Sequence, residues 1–206
     1  MSQSYDEDFD GEKINIMTLG NNAVGKTSFI IKYTENSYQE VYLSTIGIDF
    51  KCKIIEIGDK KYKFYFYDTT GQERFRSLAL NIIKNAQAVI IMYDITNRSS
   101  FDSIPGWIKS VRESKGESFP MILLGNKIDK ENEREIEKDE AEILAKEYDI
   151  DFFEISNKEG TNIDKALMTF INRILKYNET HKNDRSQNNS SFLSNKSLKR
   201  RKFKCC

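Results

Sequence analysis

The sequence predicts an α/β fold: a largely parallel sheet covered on both faces by helices, with one antiparallel edge pair. Repeated alternation of strand-like and helix-like segments argues for the parallel sheet. Gly58-Asp59 joins two extended segments, Ile48–Ile57 and Lys61–Tyr67, as a hairpin and supplies the antiparallel pair. The third observation is Gly20-Asn21-Asn22-Ala23-Val24-Gly25-Lys26-Thr27, which fits GxxxxGK[ST] between a strand and a helix.

In chain order, Ile14, Ile16, Met17 and Leu19 mark the first strand, and Ser28 to Tyr33 the helix after the glycine loop. A polar stretch, Glu35 to Thr45, precedes the hairpin. Ala88–Tyr93 reads as an apolar strand. Phe101, Ile104, Ile108 and Val111 recur at helical spacing and predict one helix from about Ser99. Met121–Leu124 reads as a buried strand, Ala141, Leu144, Ala145 and Tyr148 as a helix, and Phe152–Ile155 as the final strand. The last helix carries Ile163, Ala166, Leu167, Phe170, Ile171, Ile174 and Leu175 on one face. Thr161 to Asp164 ahead of it resembles a capping box with Asp in place of Glu.

The 206 residues divide into an acidic flexible extension over 1–12, one domain over 13–177 and a tail over 178–206. Hydrophobic residues are 38% and charged residues 31%, enough for one core and a polar surface. No run reaches the length of a spanning helix, and the start, with Asp6, Glu7, Asp8, Asp10 and Glu12, lacks a signal-peptide pattern. The net charge of zero conceals an asymmetry: from Asn178 onward eight basic residues face two acidic ones, giving a tail of +6 on a body of −6. That points to an anionic partner for the tail alone; nothing elsewhere reads as a nucleic-acid surface. Residues 181–198 are too polar to offset ordering entropy and are expected to be disordered. Three cysteines give no disulfide framework. Cys52 is expected to be a packing residue of its strand.

In the glycine loop, backbone N–H groups and the helix N-terminus present positive charge to phosphate oxygens. Lys26 adds a full charge toward β- and γ-phosphates, and the Thr27 hydroxyl can ligate Mg²⁺. Asp68, at a strand's carboxyl end, is placed to hold Mg²⁺ through water. Gly71 can bring its N–H to the γ-phosphate and Gln72 can orient an attacking water. Thr45 offers a second Mg²⁺ ligand on a segment able to order and disorder. Without the glycine loop, these would read as a polar turn and a strand threonine.

Asn126-Lys127-Ile128-Asp129 chooses the base. A carboxylate at Asp129 accepts from guanine N1–H and the exocyclic amine, a donor pair adenine lacks. Lys127 can lay its stem along the ring. Ser156-Asn157-Lys158 closes over the base from the other side, and Tyr38 offers an aromatic edge.

With these segments in this order, residues 13–177 resemble the Ras-like small GTPases. Ile46-Gly47-Ile48-Asp49-Phe50, Gly71-Gln72-Glu73-Arg74-Phe75-Arg76-Ser77-Leu78, Tyr93-Asp94-Ile95-Thr96 and the terminal Cys205-Cys206 are similar to the Rab family. The resemblance implies a P-loop NTPase G domain with a six-stranded sheet, a slow GTPase using Mg²⁺, with GTP as substrate and GDP as product. It implies catalysis by Gln72, Lys26 and Gly71. It implies nucleotide contacts from Gly20, Asn22, Ala23, Val24, Gly25, Lys26, Thr27 and Ser28. Further contacts are implied for Tyr38, Tyr42, Thr45, Gly71, Asn126, Lys127, Asp129, Ser156, Asn157 and Lys158. Thr27, Thr45 and Asp68 are the implied metal ligands. The switch segments fall at about 36–48 and 69–82 by the same resemblance.

The resemblance also implies a monomer that works with effectors, a GEF, a GAP, an escort protein and GDI. Geranylgeranyl groups on Cys205 and Cys206 would hold it on the cytoplasmic face of a Golgi or endosomal membrane, with a cytosolic pool. The adjoining Lys199-Arg200-Arg201-Lys202-Phe203-Lys204 supplies the second, electrostatic signal that stable anchoring takes. A GTP-dependent scaffold with negligible hydrolysis is the competing reading, and the retained Gln72 argues against it.

Departures from the family pattern bear on rate. Tyr67 replaces the usual Trp on the surface that partners read. Thr70 stands where Ala is usual, beside Gly71, and its added hydroxyl and methyl crowd the attacking water. Intrinsic hydrolysis is expected to be slower than in a Thr70→Ala variant; equal single-turnover rates for the two proteins would overturn this.

Overall fold

The computed structural model describes residues 9–38, 48–69 and 83–196, with side chains described as far as residue 181. Strand β1 (Glu12–Leu19) leads through the glycine loop into α1 (Lys26–Glu35). The hairpin is β2 (Ile48–Ile57) and β3 (Lys60–Thr69). Then come β4 (Ala88–Asp94), α2 (Arg98–Asp102), α3 (Ile104–Lys115), β5 (Met121–Asn126) and a 3₁₀ turn over Ile128–Glu133. α4 (Lys138–Glu147), β6 (Asp151–Ile155) and α5 (Ile163–Lys196) complete the chain.

The strands form one sheet in the order β2-β3-β1-β4-β5-β6, antiparallel at β2–β3 and parallel elsewhere. This is the six-stranded sheet with one antiparallel edge that the sequence predicts. Period-two alternation sends Ile14, Ile16, Phe64, Phe66, Ile90 and Leu124 to one face, under α1 and α5. Met17, Leu19, Val89, Ile91, Tyr93 and Leu123 go to the other, where Trp107, Ile108, Val111 and Ala141 of α3 and α4 cover them. The strand order reverses at β1, so the loop after β1 opens at the carboxyl ends of the parallel strands, where such sheets bind ligands.

Four local expectations are corrected. The helix expected from Ser99 is two, broken at Ser103, because Pro105 in the first turn of α3 lacks an N–H and restrains the residue before it. Cys52 is exposed, not packed: in register with Tyr65, it points out from the edge strand. No capping box forms at α5; the Thr161 hydroxyl instead donates to Glu159, and Asn162, at φ +61°, donates its amide to the Glu154 carbonyl. Finally, α5 continues to Lys196 through a stretch expected to lack regular structure. No Gly or Pro follows Gly160. A helix already nucleated by its packed first half extends at the cost of propagation, not nucleation.

Candidate functional site

The glycine loop is held from inside by its own lysine. Lys26 Nζ donates to the carbonyls of Gly20 (2.9 Å) and Asn21 (2.8 Å). It is 5% exposed, and burial pushes its pKa down from 10.5 to about 8, with Asp68 pulling the other way. A buried ammonium bonded only to neutral carbonyls is a charge prepared for an anion. The helix end agrees: α1 has no side-chain cap and no acid in its first turn. Its N–H groups and dipole are thus open to a phosphate.

Beside Lys26, Thr27 Oγ1 donates to Asp68 Oδ2 at 2.6 Å. A hydroxyl and a carboxylate brought together from α1 and β3 make a hard oxygen pair that fits Mg²⁺. The strand end is fixed by Thr69, whose hydroxyl donates to the Thr18 carbonyl at 2.6 Å, and by Thr18, which donates to the Tyr67 carbonyl at 3.1 Å.

Asn126 ties three segments into one wall. Its Nδ2 donates to the Val24 carbonyl (2.8 Å), and its Oδ1 accepts from the Asn157 backbone N–H (3.2 Å). Asn157 answers with its own amide, donating to the Gly25 carbonyl at 2.9 Å. Gly25 cannot carry a side chain here: φ is +101°, and a Cβ would lie 2.3 Å from Asn126 Nδ2. Asp129 Oδ1 accepts from the Ser156 hydroxyl at 2.6 Å, and Ser156 is wholly buried. That bond orients the carboxylate and leaves its other oxygen to a ligand. Lys127, at φ +74°, ion-pairs with Asp94 at 2.6 Å, which fixes the direction of its stem.

Of the sequence-predicted residues, the structure thus brings together Gly20, Val24, Gly25, Lys26, Thr27, Asp68, Asn126, Lys127, Asp129, Ser156 and Asn157. Asn22 and Ala23 sit exposed at the loop's tip, Ser28 is half-buried in α1, and Lys158 is exposed. Tyr38 is 38% exposed. Tyr42, Thr45, Thr70, Gly71, Gln72, Cys205 and Cys206 lie outside the described residues.

Sequence reading missed Asp94, Thr18 and Asn21. Asp94 takes Lys127 on one oxygen and the Thr96 N–H and hydroxyl on the other; the Asp-Ile-Thr turn was its only signal. Asn21, a variable position of the loop pattern, donates to Ser103 Oγ (3.0 Å) and accepts from the Trp107 indole (3.3 Å). Nothing in the spacing announces that bond.

A Ras family model matches residues 15–176. Ras-related protein Rab-13 of Canis lupus familiaris is 40% identical over 175 residues, covering 85% of this chain and 84% of that protein. Ras-related protein Rab-8B of Homo sapiens is 34% identical over 209 residues, covering 100% of this chain and 99% of that protein. The chain belongs to the Rab family of Ras-like small GTPases. As a Rab it is a GTP-binding switch of vesicle traffic that uses Mg²⁺ and hydrolyses GTP to GDP. It works with regulators and effectors at the cytoplasmic face of endomembranes. The non-hydrolysing scaffold is not favoured for this Rab.

Proposed function

We propose that this Rab reads guanine with Asp129 and phosphate with the Gly20–Thr27 loop, and that the two are held in one geometry by Asn126. The observation that carries the reading is the Asn126 junction, which joins Val24 to Asn157 within hydrogen-bond distance. Base and phosphate contacts then form on a single rigid wall, and little ordering remains to be done on binding.

In this reading Lys26 turns its buried ammonium from the Gly20 and Asn21 carbonyls toward phosphate oxygens, which stabilise its charge. Thr27, Thr45 and Asp68 would hold Mg²⁺, which would supply positive charge to offset that of the β- and γ-phosphates. Gln72 orients water in line with the γ-phosphorus; the water oxygen bonds to that phosphorus as the bond to the β–γ bridging oxygen breaks, giving GDP and phosphate, and Thr45 and Gly71 sense whether the γ-phosphate is present. Tyr38, Tyr42 and Lys158 close around the nucleotide. A GEF, a GAP, an escort protein and GDI attend the cycle. Two geranylgeranyl thioethers at Cys205 and Cys206 hold the monomer on a Golgi or endosomal membrane.

Asp129 provides the test. Replacing it with alanine removes the acceptor for guanine and leaves Ser156 without its partner. GTP should displace labelled GDP from the natural protein while ATP does not. In Asp129→Ala the preference should fall by at least about 10³-fold, as in sites built to hydrogen-bond their substrate. An unchanged GTP-over-ATP ratio would refute the assignment.

A further inference from the structure

The glycine loop is gripped at a second place, away from the guanine wall. At its first variable position the Asn21 amide reaches the corner between α2 and α3. Its Nδ2 donates to Ser103 Oγ at 3.0 Å and to the Ser99 carbonyl at 3.4 Å. Its Oδ1 accepts from the Trp107 indole N–H at 3.3 Å. Chemistry fixes the direction of each bond. The Ser103 hydroxyl donates its own hydrogen to the Ser99 carbonyl (2.8 Å), so its oxygen is left to accept, and an indole nitrogen only donates. An aspartate at this position would set an oxygen against the Ser99 carbonyl.

The corner is a firm anchor. Asn97 caps α2 by accepting from the Ser100 N–H (3.1 Å). The buried Ser100 hydroxyl accepts from the Asp94 N–H (3.0 Å), which ties α2 to the end of β4. In the first turn of α3 the Trp107 N–H donates to the Ser103 carbonyl (3.2 Å), and the Trp107 side chain is only 5% exposed. Along the loop, Gly20 lies against the Met92 carbonyl at φ +137°, where a side chain would collide. Val24 and Gly25 are held through their carbonyls by Asn126 and Asn157. Asn21 is the hold that the corner takes on the loop's first half.

What Asn21 steadies is the cradle of Lys26. The carbonyls of Gly20 and Asn21 are the two that accept from Lys26 Nζ. They belong to planar peptide units that meet at the Asn21 Cα, so fixing this one residue aims both.

We propose that Asn21, clamped by Ser103 and Trp107, is a positioning residue for the phosphate half of the nucleotide. The Asn126 wall sets base and phosphate together, whereas the α2–α3 corner acts on phosphate alone. The proposal rests on the reading of the Gly20–Thr27 loop as the phosphate site.

GDP and GMP differ by the β-phosphate that Lys26 would meet, so competition of each against a labelled GDP on the full-length chain reads the clamp. Asn21→Ala should lower the preference for GDP over GMP about 20-fold, the scale of two neutral hydrogen bonds. Its GTP-over-ATP preference should stay within twofold of the natural protein's. Trp107→Phe, which removes one donor, should lower the GDP-over-GMP preference about fivefold. The double variant should match Asn21→Ala, because the indole N–H acts on phosphate through Asn21. A merely structural loss would weaken GDP and GMP alike.

A GDP-over-GMP ratio within twofold of natural in Asn21→Ala would overturn the clamp, as would a double variant in which the two losses multiply. Should Trp107→Phe fold poorly, Ser103→Ala repeats the comparison with the same fivefold expectation. If the loop is not the phosphate site, the natural protein itself shows no preference for GDP over GMP. That outcome overturns the underlying reading, while the Asn21→Ala comparison tests the clamp, so the two fail separately.

Discussion

Asn126→Ala is expected to cost this Rab about 2–4 kcal/mol of folding stability, because it strands buried polar groups instead of trimming a surface contact. The side chain is 2% exposed and serves the Val24 carbonyl and the Asn157 N–H at once. Alanine satisfies neither, and each buried partner is left without its bond. The functional loss should be of similar size. The glycine loop and the Ser156-Asn157 segment would lose their common fixed point, and small misplacements of a binding wall are expensive. GDP release should accelerate by about 100-fold, measured as displacement of a fluorescent analogue, alongside a lowered melting temperature. A variant that melts lower but holds GDP normally would show that the junction stabilises the fold without organising the site.

Lys26→Met should separate binding from stability in the opposite sense. With phosphate present, Lys26 is one half of a desolvated charge pair, and deleting one partner of such a pair costs about 3–5 kcal/mol, or about 10²–10⁴-fold in nucleotide affinity. Without nucleotide the lysine is a liability, since its charge is buried among carbonyls. The nucleotide-free chain should therefore change in stability by less than about 1 kcal/mol, measured by denaturant unfolding. The pH dependence follows from the lowered pKa of about 8 against 10.5 unfolded. Between those values the unfolded chain holds the additional proton, so stability of the nucleotide-free protein rises with pH across that window. Bound phosphate favours the ammonium, so binding takes up a proton there and weakens as pH climbs through it. Calorimetry in buffers of different ionisation enthalpy would detect the proton, and Lys26→Met should abolish it.

Much of this was legible because its determinants are local. Gly58-Asp59 set the hairpin, and the unbroken apolar runs Ala88–Tyr93 and Met121–Leu124 marked strands buried on both faces. Lys26, Thr27, Asp68, Asn126 and Asp129 sit at spacings that only a common site explains. What stayed hidden depends on which strands become neighbours. Cys52 looked like a packing residue because its segment alternates, yet only sheet order reveals that its face is an open edge. Asn157 was expected only to close over the base, but its amide also closes the wall against Gly25. The break at Ser103 was written in Pro105 and obscured by the unbroken apolar spacing around it.

The Asn21–Trp107 bond has an optical consequence. Trp107 is the chain's only tryptophan. Its indole N–H donates to a residue of the phosphate loop, across a sequence separation of 86 positions. Excited at the red edge, where its ten tyrosines do not absorb, this Rab emits from a single indole bonded to the Asn21 side chain, and its colour and intensity respond to how that side chain is held. Adding nucleotide is therefore expected to shift that emission, a change readable without a label and in real time.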